Sequence, residues 1–137
     1  MNIKTITICG KQVELLYCAA TETGYESLSG RSCEVFIPEI TQDKKGNTKP
    51  LMHATTRDYI QLAVAAIIAA STYRGQEAPI TADDILYSAS AQEVTNLITA
   101  VIELRNAWYL MPSVVKKDDG DAPDQPEDKD QEEKPKN

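Results

Sequence analysis

The sequence predicts a mostly α (α+β) protein: an N-terminal β-hairpin packed on a small helical domain with two main helices, then a disordered acidic C-terminal tail. Three observations predict it. Apolar and polar residues alternate over residues 3–8 and 12–18 around a Cys-Gly-Lys turn, which is hairpin patterning. Two long segments, 55–74 and 90–111, carry apolar residues at helical spacing. Composition then breaks at Val115: residues 116–137 hold one small apolar residue, Ala122, among Asp, Glu, Lys, Gln and Pro. That stretch has too little apolar surface to offset the entropy of ordering. The domain boundaries are therefore 1–115 for a single hairpin-plus-helices domain and 116–137 for the charged tail.

In the hairpin, Gly10 can take positive φ at the turn. Val13, Leu15 and Tyr17 fall on one face of the returning strand, Leu16 and Cys18 on the other. A lone hairpin is marginal in water, so this one must lean on the helices. Residues 19–29 form a short helix with Tyr25 and Leu28 on one side and Gly30 as its stop. Gly24 weakens that helix by about 1 kcal/mol. Residues 32–40, with Val35, Phe36, Ile37 and Ile40, fit one or two helical turns or an extended segment, since Pro38 forbids a long helix. Residues 42–50 (QDKKGNTKP) are expected as a polar exposed loop.

Thr55 or Thr56 caps the next helix, with Asp58 near the positive end of its dipole, and Gly75 ends it. Ile60, Leu62, Val64, Ile67 and Ile68 among many alanines make it apolar almost all round, so it is the buried central helix. Thr81-Ala82-Asp83-Asp84 starts a short helix with Ile85, Leu86 and Tyr87. Ser90-Ala91-Gln92-Glu93 is a capping box opening the last helix. Val94, Leu97, Ile98, Val101, Leu104, Arg105 and Trp108 line its stripe, and Pro112 stops it.

The formal net charge is -7, and the tail supplies most of it with nine carboxylates against five lysines. A mildly acidic body argues against nucleic-acid binding through phosphates and against an anionic membrane surface. Residues 1–4 lead straight into alternating Thr and Ile, a start that predicts no secretory leader. The longest apolar run, 62–70, is nine residues, short of the roughly 17–25 that span a bilayer. Cys9, Cys18 and Cys33 are odd in number and lack CxxC spacing, which reads as reduced, half-buried thiols of a cytoplasmic protein.

Chemistry-bearing motifs are missing. The six glycines are scattered and form no phosphate loop. With His53 the only histidine, neither a catalytic relay nor a zinc site can be assembled, so no catalytic, cofactor or metal residues are assigned. His53 reads as a surface or half-buried structural residue, Asp83-Asp84 as first-turn acids, and Glu103 with Arg105 as a solvated edge. Trp108-Tyr109-Leu110-Met111 stands apart. Consecutive helical positions differ by about 100°, so these four large side chains cannot all face one core. Aromatics and Met are enriched at interfaces, which makes Trp108, Tyr109, Leu110 and Met111 the candidate partner-binding or self-association residues.

Several stretches together resemble the phage (prophage) tail assembly chaperone family of long-tailed bacteriophages. They are Ile6-Thr-Ile-Cys-Gly-Lys-Gln-Val13, Leu15-Leu16-Tyr17, Tyr25-Glu-Ser-Leu-Ser-Gly30-Arg-Ser32, and Ile80-Thr-Ala-Asp-Asp-Ile-Leu86 with 93–108 behind it. The resemblance spans residues 1–112 and is one of element order and short echoes. Cys9 departs from it, standing where Asn is common in the turn. The resemblance implies a cytoplasmic protein of the infected bacterium that binds the long, apolar tape measure protein and keeps it soluble. Tail-tube subunits, possible further partners, then displace it. Members are often made together with a longer frameshifted form. The residues by themselves favour the same class: an apolar helical client needs its surface covered, and an acidic tail adds solubility. A small structural or adaptor protein of a phage or mobile element is the main alternative. An acidic inhibitor of a nucleic-acid enzyme fits less well, because the acids cluster in the tail.

Overall fold

The computed structural model describes residues 1–111. The expected tail at 116–137 and the last residues of the expected domain, 112–115, lie outside the described residues. Strands β1 (Ile3–Ile8) and β2 (Lys11–Leu16) pair antiparallel with Ile8 opposite Lys11, so Cys9 and Gly10 form a two-residue turn. Cys9 has φ 52° and Gly10 φ 74°. Positive φ at both central residues gives the twist that a tight hairpin needs, and for a Cβ-bearing residue such as Cys9 it is strained. Helices α1 (Ala19–Ser29), α2 (Thr56–Tyr73), α3 (Ala82–Ser88) and α4 (Ala91–Leu110) follow. The mostly α architecture with one N-terminal hairpin and two main helices is as the sequence predicts.

Three helix starts use the same device. Thr55 with Asp58, Thr81 with Asp84, and Ser90 with Glu93 each form a reciprocal capping box that satisfies free amides of the first turn. Glu93 also accepts the Cys9 amide at 3.0 Å, tying the hairpin tip to the start of α4. The Lys4–Glu103 ion pair at 2.9 Å, and a hydrogen bond from Asn2 to the Leu104 carbonyl at 2.7 Å, fasten the same hairpin along that helix. Gly30 ends α1 with φ 71°, where a Cβ would be strained.

Helix α2 is central, touching α1, α3, α4 and β2. Leu62 and Ile67 of α2 meet Leu15, Tyr17, Tyr25, Ile85, Leu97 and Val101 in one continuous core. At Gly24 α1 passes α2 at a distance that leaves room for a methyl group: a Cβ there would meet that of Ala65 at an ordinary 3.5 Å.

One open stretch is settled and two local expectations change. Residues 32–40 resolve into a 3₁₀ turn, Cys33–Phe36, followed by strand β3 (Glu39–Gln42). The expected loop 42–50 is instead the turn and return strand of a second hairpin, with β4 at Thr48–Leu51. The Asp43 carboxylate holds its turn by accepting the amides of Lys45 at 2.8 Å and Asn47 at 2.9 Å. Both strands are short edges, so Pro50 costs the ladder little. Finally, Tyr25 and Leu28 do not share a buried side: Tyr25 is fully buried and Leu28 is exposed.

Candidate interaction surface

The four residues singled out at the end of α4 separate in space. Trp108 is half-buried and packs on Tyr17, ring centroids 5.6 Å apart, and edge-on to Tyr109 at 4.9 Å. The Tyr109 hydroxyl donates to Glu22 Oε2 at 2.8 Å, and the Tyr17 hydroxyl donates to that same oxygen at 2.8 Å. One carboxylate on α1 thus gathers the residue that follows β2 and the end of α4. Burial pushes the Tyr17 phenol well above its ordinary value, reinforced by the Glu22 hydrogen bond, so it remains a donor at any physiological pH. Leu110 is 83% exposed, and Met111, like Tyr109, is about half exposed. The structure therefore packs Trp108 on the body, ties Tyr109 to it by its hydroxyl, and leaves Met111 half covered and Leu110 standing out from it.

A larger apolar surface lies elsewhere. Between α1 and α2 runs a groove of about 530 Å³ floored by Leu16 and Cys18. Small residues line it from both helices, Ala20, Gly24 and Ser27 facing Ala65, Ala69 and Thr72. Leu28, Ile68 and Tyr73 form its walls. Leu28 is 49% exposed and Ile68 is 40% exposed, so large apolar side chains stand open around a floor of small ones. No lining residue carries a charge. Sequence reasoning misses this groove because a helix apolar almost all round reads as covered on every side. The signal available was the matched run of small residues, at three- and four-residue spacing, on both helices.

Chemistry-bearing side chains are engaged structurally. Asp58 is 3% exposed. Its carboxylate accepts from the Tyr25 hydroxyl at 2.8 Å, the Thr55 amide at 2.8 Å, the Thr55 hydroxyl at 3.0 Å, and Arg31 Nε at 3.0 Å. Burial alone pushes this carboxyl up; the hydrogen bonds from Thr55 and Tyr25, with the Arg31 charge, outweigh it and hold the group below its ordinary value. His53 is exposed and sits 2.8 Å from Glu39. The three cysteines are free and half-buried. Burial, with the Glu22 and Glu26 charges, pushes the Cys33 thiol up to about 12, which suppresses thiolate nucleophilicity. Among the described residues no three His, Cys, Asp or Glu side chains converge as a metal site, and no helix is long and apolar enough to cross a membrane.

In comparisons with known proteins the chain matches no family model, no curated protein and no solved structure.

Proposed function

We propose that this chain is a phage tail assembly chaperone, acting in the bacterial cytoplasm, that binds the apolar helices of the tape measure protein and keeps them soluble until the tail tube forms around them. The observation that carries the reading is the uncharged α1/α2 groove with its open Leu28, Ile68 and Tyr73 walls. A charged group would find no partner in it, whereas an apolar helix face would exchange water for contact on both sides. The small floor residues allow the incoming backbone to lie close. Exposed Leu110 and Met111 supply a second, smaller apolar contact. The capped, cross-tied helices suit a binding scaffold, and the engaged carboxylates and protonated Cys33 support binding over catalysis.

Co-expression with the tape-measure-like protein encoded beside it tests the reading. Soluble client that co-purifies with this chain is expected. A client that stays insoluble, with this chain alone soluble, would argue for the adaptor role instead.

A further inference from the structure

A second cavity, about 340 Å³, opens between the 3₁₀ turn, the start of α2 and the latter half of α4. Phe36 and Tyr59 wall it, ring centroids 5.1 Å apart, with Met52 and Ile102 beside them. Into this apolar setting projects one cation, Arg105. Its guanidinium carbon lies 4.7 Å from the Tyr109 ring centroid and 5.9 Å from that of Phe36. Stacking between two aromatic faces holds the guanidinium plane in place.

Arg105 lacks the ion pair that Arg31 and Arg74 have. Arg31 is paired with Asp58 at 3.0 Å and Arg74 with Glu14 at 2.9 Å. Among the described residues Arg105 makes no ion pair, and its Nε is buried without a hydrogen-bond partner. A planar guanidinium already fixed by stacking is suited to a carboxylate, which would reach its terminal nitrogens rather than the buried Nε. The apolar rim continues outward through exposed Ile37 and Met52, next to the β3–β4 hairpin, whose strands pair only with each other.

We propose that this cavity docks a segment of a partner protein that sets an apolar side chain against Phe36, Tyr59 and Ile102 and an Asp or Glu carboxylate on Arg105. Charge complementarity selects that occupant. A wholly apolar segment would leave the guanidinium unpaired, and a free small anion would leave the aromatic walls uncovered. The surface is separate from the α1/α2 groove and does not rest on the chaperone reading.

The test uses the full chain and two blocked Ala/Gln-rich helical peptides. One carries two Leu one turn apart with a Glu beside them; its twin has Gln in place of the Glu. Calorimetry measures affinity, and Trp108, the single tryptophan and edge-on to Tyr109, reports occupancy by fluorescence. The Glu peptide is expected to bind about 10-fold more tightly than its twin, as a charge-assisted hydrogen bond warrants. Arg105→Met is expected to erase that preference with the far-ultraviolet dichroism unchanged, and Arg105→Lys to retain part of it. Equal affinity of the wild-type chain for both peptides overturns the proposal, whatever the variants do. A preference that emerges only on removing residues 116–137 also overturns it, since the chain's own carboxylates would then be the occupants. Co-purification of a tape-measure client is scored separately, so either surface can fail alone.

Discussion

Replacing Asp58 with alanine should cost more stability than any single surface change, and the structure says how much. Asp58 closes the cap of α2, receives the buried Tyr25 hydroxyl of α1 and pairs with Arg31 beyond it. Losing the cap costs about 1 kcal/mol. Leaving the buried Tyr25 hydroxyl without an acceptor costs about 1–3 kcal/mol. Arg31 is half exposed and rehydrates, so its share is under about 1 kcal/mol. The sum is about 3 kcal/mol, or a drop of about 15 °C in Tm for a domain of this size. Urea unfolding followed by circular dichroism, with the slope compared between proteins, measures it. A loss under about 1 kcal/mol would refute the view that this carboxylate joins α1 to α2.

The remaining expectations are smaller or differ in kind. Because the folded carboxyl of Asp58 titrates below its ordinary value, its contribution is whole above the unfolded pKa near ~3.9 and is lost as pH falls below that. Wild type should therefore lose stability below pH ~4 more steeply than Asp58→Asn, as acid titrations of Tm will show; parallel curves would contradict this. Cys9→Asn should raise stability by about 0.5–1 kcal/mol, because Asn tolerates the positive φ that Cys9 adopts; a decrease would mean that the half-buried thiol packs better than its backbone is strained. Gly24→Ala should also stabilise, by about 0.5–1 kcal/mol, since a helical glycine is replaced and the new Cβ meets Ala65 at an ordinary 3.5 Å.

Elements with a strong local signature were readable from the chain. Both ends of α2, the Ser90–Glu93 box and the first hairpin rest on short-range rules of capping, glycine placement and alternation. The second hairpin was not readable, because each of its strands is four residues long, exposed and without alternation, and β4 contains Pro50. What makes it a hairpin is the Asp43 carboxylate gathering two amides and Gly46 at φ 82°, which in sequence look like any polar loop. Asp58 could be placed in the first turn of α2 from its spacing, yet its partners Tyr25 and Arg31 come from a segment that only tertiary packing brings near. The candidate surface divides in the same way. That Trp108 to Met111 could not all be buried followed from helical geometry. Which of them would turn inward depended on Tyr17 and Glu22, distant in sequence. The α1/α2 groove needed both helices in place before its open walls could be seen.

If the α1/α2 groove takes up an apolar helical client, as proposed, Ile68→Asp should block it. Ile68 is 40% exposed on the groove wall, so a carboxylate there is hydrated in the free protein and buried only when a helix docks. The measurement is the amount of tape-measure protein kept soluble and co-purified by full-length wild type, Ile68→Asp and, for comparison, Leu110→Asp. Capture is expected to fall about 10-fold for Ile68→Asp, with its Tm near that of wild type, and much less for Leu110→Asp. Undiminished capture by a folded Ile68→Asp protein would move the binding surface away from the groove.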